Sequence, residues 1–314
     1  DWKQICKVLA IACVAAAALY TFTLFWVINA NTFYSEIGND SFVPLTFDFF
    51  AEKISYLKHR LFLCSTEMMG IMALLYVRRD IIEKFGKFKG WLLIAGAIII
   101  MVALILATGS RASILSGIAL IAVWMLYRLP LRHLRYKIAL IVVAFGTGLF
   151  VLSLHPRMQE FKYDQLLSIR DIDKEDNVRL NIWGLALEDP HDYSLYGLGA
   201  GQSTQYLQEK YAKAGLTNYI KRGYAAHNQY LAEWMEIGIP GLVFFILAWL
   251  SIPYFTQKRA RKSAMMLFTL YALNMLTDCM WGMFDGIALW CVWMLLILLQ
   301  SDSQADQQPA RDTQ

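Results

Sequence analysis

Charge is scarce in this chain, and it lies mostly outside long apolar runs. Only 17% of the 314 residues are charged, whereas 57% are hydrophobic. A typical soluble domain carries about 25% charged residues. The apolar residues fall in runs of roughly 17–25 residues, the length that spans a bilayer, and show no alternation of the kind a membrane β-barrel needs. The composition therefore predicts an all-α, polytopic membrane protein.

Signatures of metal and nucleotide binding are also missing from the sequence. The five cysteines form no CxxC pair and lie in or beside apolar runs, as small core residues do. No HExxH motif and no cluster of His and Cys ligands occurs. The glycines of Gly197–Gly201 do not fit GxGxxG, and no strand pattern precedes them, so we interpret this stretch as a tight turn. We expect no metal, no cofactor and no nucleic-acid partner.

Eight apolar runs predict about eight membrane-spanning helices. They cover approximately residues 5–29, 61–77, 91–107, 112–127, 138–154, 238–255, 264–276 and 286–299. The prediction divides the chain into four parts: five spans in 1–154, a large polar loop with short helices in 155–237, three spans in 238–300, and a disordered cytoplasmic tail in 301–314. Because the chain starts at Asp1 without a methionine, we interpret it as a fragment that lacks the true N-terminus.

The distribution of Lys and Arg predicts the orientation of the spans. Three basic connectors, at 78–89, 128–137 and 257–263, fall on one side of the membrane if the chain crosses eight times. The positive-inside preference makes that side cytoplasmic, and long loops are exempt from the preference. The loop at 155–237 is therefore expected to face outward.

Two arginines lie at the predicted outward edge of membrane spans. Arg111 follows a tight turn and begins a helix, where its charge opposes the helix dipole unless an anion is nearby. The alternative is an arginine that reaches lipid headgroups. Arg60 stands beside Lys58 and His59, so a headgroup anchor and a substrate contact are both open. Glu67, on the same helical face as Arg60, is a possible structural partner.

Arg179 lies in the predicted outward loop. Asp176 or Asn177 can cap a short amphipathic helix there, with Leu180, Trp183 and Leu187 expected on one face. A guanidinium in the first turn of a helix, together with free N–H groups, makes an anion site. The alternative is a surface charge paired with the acidic run at 171–176.

His227 and Asn228 stand just ahead of a helical run that enters a span through Gly238–Leu242. An imidazole titrates near neutral pH, so a histidine at a water–membrane border suits proton transfer. The alternative is a histidine that only makes a structural hydrogen bond at that border. Asp278 and Asp285, in the last predicted outward turn, are candidates for balancing charge.

Three motifs together resemble the O-antigen ligase and O-antigen polymerase superfamily of bacterial envelope proteins. They are TGSRASIL, with Arg111 and Leu115 as an Arg-x3-Leu pair; RLNIWGLAL followed by LYGLGAG; and HNQYLAEWMEIGIPGL. The last fits His-Asn, nine residues, Gly-x-x-Gly-Leu. The resemblance covers the chain from about residue 60 onward.

The resemblance implies a metal-independent, inverting glycosyltransferase of the bacterial inner membrane, with its site facing the periplasm. It would move a glycan from undecaprenyl diphosphate to a sugar hydroxyl of lipid A core. His227 would activate the acceptor hydroxyl, and the arginines would bind the diphosphate. The substrate-binding residues expected on this basis are Arg60, Arg111, Arg179, Asn228 and Tyr230.

Three other functions stay open at this point. A chain polymerase, whose acceptor is a second lipid-linked unit, and a protein O-oligosaccharyltransferase share the donor chemistry. A small-anion transporter would use the arginines to line a path, but such proteins usually show mid-span polar residues or broken helices in matching halves. The single histidine motif and the large outward loop favour the ligase.

Overall fold

The computed structural model describes residues 2–38, 59–108, 110–128, 178–258 and 260–302, together with 135–136, 138–139, 142–143 and 146. Every regular element in these ranges is a helix, which confirms the all-α prediction. The chain forms two compact units. Unit 1 contains residues 1–159 and 292–314, and unit 2 contains residues 160–291.

Four long helices lie near the start of the chain in the described part of unit 1. They are α1 (Trp2–Gly38), α2 (Arg60–Phe85), α3 (Lys87–Ala107) and α4 (Arg111–Arg128). The first three pack on one another, and α4 packs on α2 and α3. Gly70 of α2 lies so close to Cys13 of α1 that a Cβ at position 70 would be 2.3 Å from the Cβ of Cys13. This contact shows how tightly α1 and α2 pack.

The first basic connector is mostly helical, in contrast to the loop expected from its charge. Helix α2 continues through Phe85 and breaks only at Gly86, which has φ 81°. The charged residues at the C-terminal end of α2 can pair with charged residues of a neighbouring helix instead of extending into solvent. Asp80, for example, lies 2.8 Å from the ammonium nitrogen of Lys7 in α1.

Four helices in the described part of the chain are long and apolar enough to cross a membrane: Lys3–Phe22, Arg60–Phe85, Lys87–Ala107 and Gln229–Phe255. They correspond to the first, second, third and sixth predicted spans. The fourth and eighth fall on shorter apolar helices, Ala112–Trp124 and Phe284–Leu299. The fifth lies mostly outside the described residues. Membrane-type helices are therefore confirmed, whereas the count of eight and the orientation stay predictions.

Unit 2 contains three short helices and, after them in the described part of the chain, longer ones. They are α5 (Val178–Ala186), α6 (Ser203–Lys213), α7 (Thr217–Arg222), α8 (Gln229–Phe255) and α9 (Arg261–Asn274), followed by α10 (Phe284–Asp302), which begins in unit 2. The short helices and the start of α8 share one core. Its fully buried members include Ile182, Tyr193, Leu207, Tyr211 and Met235.

The prediction of which face of α5 is buried is wrong. The helix buries Asn181, Ile182, Leu185 and Ala186 instead. It ends at Ala186, so Leu187 lies beyond it and is exposed. Asn181 tolerates burial because its amide donates a hydrogen bond to the hydroxyl of Tyr219 (3.2 Å).

Helix α8 is interrupted at Gly238, where φ is 67° and ψ is −177°. Side chains other than glycine strongly disfavour this conformation. Pro240, two residues later, has no N–H with which to continue the helical ladder. The carbonyls of Met235 and Glu236, which would accept from residues 239 and 240 in an unbroken helix, therefore need other donors.

The segment Ser194–Gly199 supplies the missing hydrogen-bond partners. Three backbone hydrogen bonds join it to α8: Leu198 N–H to Met235 O (2.8 Å), Gly199 N–H to Glu236 O (3.0 Å) and Ile239 N–H to Ser194 O (2.7 Å). We call this pairing of Ser194–Gly199 with Met235–Ile239 the backbone clamp. Its close approach requires glycine: a Cβ at Gly197 would lie 2.2 Å from Glu236 O, and one at Gly238 would lie 2.5 Å from Leu195 O.

Replacing either clamp glycine should destabilise unit 2 by more than the backbone conformation alone accounts for. Gly197→Ala and Gly238→Ala each add a Cβ that overlaps backbone atoms. Gly201→Ala is a matched control, because Gly201 also has positive φ (77°) but no heavy atom would lie within 4 Å of a Cβ added there. The control should lose only about 1–2 kcal/mol for the left-handed conformation.

The measurement is thermal unfolding of the detergent-solubilised protein. The readout is the fraction of the protein that stays monodisperse as the temperature rises. We expect the melting temperatures of Gly197→Ala and Gly238→Ala to fall clearly below that of Gly201→Ala. Equal melting temperatures for all three variants would show that the close approach does not hold the loop.

Candidate functional site

His227 lies immediately before α8 in an unusual backbone conformation. Its φ of 47° is positive, and among the described residues it is the one non-glycine with this property. Such a conformation costs about 1–2 kcal/mol and persists where the surroundings hold it. On one side, the indole of Trp183 donates to Ala226 O (2.9 Å). On the other, Asn228 caps α8, its Oδ1 accepting from the N–H of Leu231 (3.0 Å).

The partner of the His227 imidazole is Asp278, a carboxylate with only 1% exposure. Its Oδ1 lies 3.3 Å from Nδ1 of His227 and also accepts from the N–H of Cys279 (2.9 Å). An ionised carboxylate can only accept hydrogen bonds, so Nδ1 carries the hydrogen. The other ring nitrogen, Nε2, is then the one that can take up a proton.

The turn that carries Asp278 is fixed to the start of α8. Gln229, the first residue of that helix, donates its backbone N–H to Met275 O (2.8 Å). Its side-chain Oε1 accepts from the N–H of Trp281 (2.9 Å). Because these bonds flank Asp278 on both sides, the helix that follows His227 also positions the carboxylate.

Arg179 reaches the second oxygen of the same carboxylate. Its Nη2 lies 4.0 Å from Oδ2 of Asp278, which is an ion-pair distance but too long for a good hydrogen bond. The Arg179 side chain is 53% exposed, so it remains open to an anionic ligand. The structure thus brings an imidazole, a carboxylate and a guanidinium together. The caps proposed for α5 and the acidic run at 171–176 lie outside the described residues.

Two further groups lie beside His227, one at its ring and one at its backbone. The ring of Tyr224 packs edge-on against that of His227, with 5.7 Å between centroids. Burial raises the pKa of the Cys279 thiol to about 11, so this neighbour is a neutral thiol near pH 7. Sequence reasoning missed both residues and gave Asp278 only as a general charge balance, because nothing in the local pattern links positions 51 residues apart.

Asn228 and Tyr230 have visible structural roles. The carbonyl oxygen of the Asn228 side chain caps α8, and the hydroxyl of Tyr230 donates to Ala272 O (3.1 Å) in α9. These bonds secure the start of α8, directly after His227. A contribution of either residue to substrate binding stays a prediction.

Arg60 and Arg111 belong to unit 1, where they begin α2 and α4. The thiol of Cys64, one turn into α2, lies 3.0 Å from the hydroxyl of Thr108, the residue that directly follows α3. Both helix starts therefore lie at the same end of unit 1. The side chain of Arg111 is outside the described part of the structure. Neither carboxylate oxygen of Glu67 hydrogen-bonds to a described residue, so the expected pairing with Arg60 is not observed.

The glycine-rich stretch Gly197–Gly201 is a turn, as expected. The place beside it where a phosphate could bind is occupied by a side chain of the protein. The carboxylate of Glu236 accepts hydrogen bonds from Gly201 N–H (2.9 Å) and from the hydroxyl of Ser203 (2.5 Å) at the start of α6. Free N–H groups at a helix start attract anions. Here the anion is a side chain of the same protein, so this loop has no phosphate-cradling role.

Metal-ligating side chains do not gather in the part of the chain that the structure describes: no three His, Cys, Asp or Glu side chains lie close enough there to hold an ion. The candidate site in unit 2 consists of three side chains, those of Arg179, His227 and Asp278.

Comparison with known proteins identifies a family. Residues 96–246 match the family model for O-antigen ligase (Wzy_C). No curated protein and no solved structure matches the chain. The matched region contains Arg111, Arg179 and His227, whereas Arg60 and Asp278 lie outside it. This match over residues 96–246 supports a relation to the O-antigen ligase superfamily.

Proposed function

We propose that this protein is an O-antigen ligase-type glycosyltransferase, which moves a glycan from undecaprenyl diphosphate to a sugar hydroxyl of lipid A core. The observation that carries the proposal is the contact between His227 and the buried carboxylate of Asp278, with Arg179 at the second oxygen. A transfer of this kind needs a base for the acceptor and a cation for the leaving group. This cluster supplies both.

The imidazole of His227 acts as the base. Its Nε2 takes the proton of the acceptor hydroxyl as that oxygen forms a bond to the anomeric carbon. The bond from the anomeric carbon to the diphosphate oxygen breaks, and the diphosphate leaves with the electron pair. Attack in line with the leaving group inverts the anomeric centre. Asp278 orients the ring and stabilises the imidazolium that forms.

Arg179 binds the diphosphate of the donor. Its guanidinium is always charged and can bind two phosphate oxygens at once. Arg111 is proposed as a further phosphate-binding residue because it lies in the TGSRASIL motif, and Arg60 because it also begins a helix of unit 1. Each begins a helix, where the dipole adds to the attraction for an anion. No metal takes part in this proposed mechanism.

We also propose that the chain crosses the bacterial inner membrane about eight times, with the loop before α8 in the periplasm. The three basic connectors support this orientation. A lipid-linked donor and a lipid-linked acceptor would then approach the site along the outer leaflet.

The activity should depend on His227 and on the acceptor. The test is incubation of the purified protein with an undecaprenyl-diphosphate glycan and a chelator, with lipid A core, a second carrier-linked glycan or a peptide with free hydroxyls offered in separate reactions. We expect transfer to lipid A core. His227→Ala should lower the rate about 10²–10⁴-fold, the usual contribution of a general base. His191→Ala, at an exposed histidine of the same unit, should have no effect.

The other outcomes of this assay are equally informative. Lengthening of the carrier-bound glycan would identify a polymerase, and transfer to peptide a protein transferase. No reaction with any acceptor would favour anion transport. Loss of activity with chelator would contradict the metal-free mechanism, and near-normal activity of His227→Ala would exclude it as the base.

Asp278→Asn should lower kcat while leaving the KM for the donor nearly unchanged. The amide keeps the shape of the side chain but can donate to Nδ1, which places the hydrogen on Nε2 and removes the base. By analogy with other histidine–carboxylate pairs, we expect a loss on the order of 10²–10⁴-fold in kcat. Asp192→Asn, at an exposed carboxylate, is the control. An equal rise in KM without loss of kcat would indicate a binding role instead.

Arg111→Lys and Arg179→Lys should each lower kcat/KM for the carrier-linked donor. Lysine keeps the charge but loses the planar fork that holds two phosphate oxygens. One charge-assisted hydrogen bond is worth about 1.5–3 kcal/mol, so a reduction of roughly 10- to 100-fold is expected. The exposed cation Lys221 serves as control, with Lys221→Ala expected to be silent. Wild-type kinetics in Arg111→Lys would indicate a headgroup anchor.

A further inference from the structure

Two large apolar side chains stand exposed at the tip of the backbone clamp. Leu195 is 58% exposed and Tyr196 is 86% exposed. They belong to an uncharged stretch, since residues 193–208 include no Lys, Arg, Asp or Glu. Exposed apolar residues that occur singly need no explanation, but neighbouring ones at a fixed position suggest a contact surface.

The backbone clamp fixes the position of Leu195 and Tyr196 along α8. Its hydrogen bonds flank Leu195 and Tyr196 on both sides, and the carbonyl of Leu195 lies against Gly238. The two side chains are therefore held beside the point where α8 bends. Their position along the helix is set by backbone contacts, so it does not depend on side-chain rotamers.

That point is where the uncharged part of α8 begins. Residues 237–256 contain no charged side chain. Twenty helical residues extend about 30 Å, which is the thickness of the hydrocarbon core of a bilayer. If this stretch fills the membrane, as its length and composition allow, its first residues lie at the boundary between headgroups and acyl chains.

We propose that Leu195 and Tyr196 insert into this boundary and give unit 2 a second contact with lipid, beside the spanning helix. The partner is the bilayer surface itself. A leucine and a tyrosine suit it, since the tyrosine ring has an apolar body and a polar hydroxyl and is enriched at membrane interfaces. The inference rests on α8 crossing a membrane and does not depend on the proposed reaction.

Lipid is favoured over a protein partner because the tip continues a lipid-type surface. Beyond the bend, α8 exposes a series of large apolar side chains: Ile239, Val243, Phe244 and Leu247. The exposed surface around α7, in contrast, carries Asn218, Lys221 and Arg222. Unit 2 therefore has an apolar region near the bend of α8 and a polar region at α7. This difference is what a protein at a membrane border needs.

The test is the depth of a nitroxide label at position 196. Tyr196→Cys is made together with Cys291→Ala, which removes an exposed native cysteine. The burial and raised pKa of Cys279 protect it from labelling near pH 7. The labelled protein is placed in vesicles of palmitoyl-oleoyl phosphatidylcholine. Collisions of the label with oxygen, which concentrates in lipid, are compared with collisions with a water-soluble nickel complex.

Two labelled positions calibrate the result. Phe244→Cys lies in the apolar part of α8 and should report lipid, whereas Asn218→Cys lies in α7 and should report water. The protein carrying only Cys291→Ala reveals any residual labelling. We expect the ratio of oxygen to nickel accessibility at position 196 to be several-fold higher than at position 218 and below that at position 244.

A ratio at position 196 equal to that at position 218 would overturn the proposal, because the tip would then lie in water. Low accessibility to both reagents would also overturn it, since the label would then be covered by protein. Neither result would bear on the glycosyl-transfer proposal, because the measurement needs no substrate.

Discussion

A helix that bends must find partners for the backbone groups that the bend releases. In α8 the bend at Gly238 removes the helical donors for two carbonyls, and the segment Ser194–Gly199 replaces them. Unpaired backbone groups cost several kcal/mol in an apolar environment. The loop is therefore required by the bend, and the bend is possible only beside the loop. The glycines at positions 197 and 238 are needed because two backbones approach each other there.

The candidate site lies at the start of the same helix, before the bend. The part of α8 before the bend is fixed at its first residue by Gln229, which hydrogen-bonds to both sides of the turn containing Asp278. The strained backbone of His227 is thus held between a capped helix and a buried carboxylate. A rigid support of this kind is what keeps a base in a productive orientation. The clamp and the site share one short helical segment, so a disturbance of either is expected to reach the other.

The sequence predicts the features that depend on local pattern. The apolar runs give the long helices, and the motif places His227 directly before α8, while the glycine-rich stretch is the expected turn. What it does not predict depends on contacts between distant positions. Asp278, the partner of His227, comes from another turn. The burial of Asn181 in α5 depends on a hydrogen bond to Tyr219, which lies 38 residues away. Periodicity contains no information about such partners, because it describes one helix at a time.

One carboxylate lies near two positive or potentially positive groups, and this sets a condition on the proposed reaction. Arg179 is 4.0 Å from Asp278, close enough to attract it but without a short hydrogen bond. A diphosphate brings more negative charge than one carboxylate and offers a bidentate partner, so it competes well for the guanidinium. In the proposed reaction Arg179 turns to the donor, while the imidazole of His227 and the N–H of Cys279 stay in contact with Asp278. The imidazole would therefore keep the carboxylate that orients it while the donor is bound.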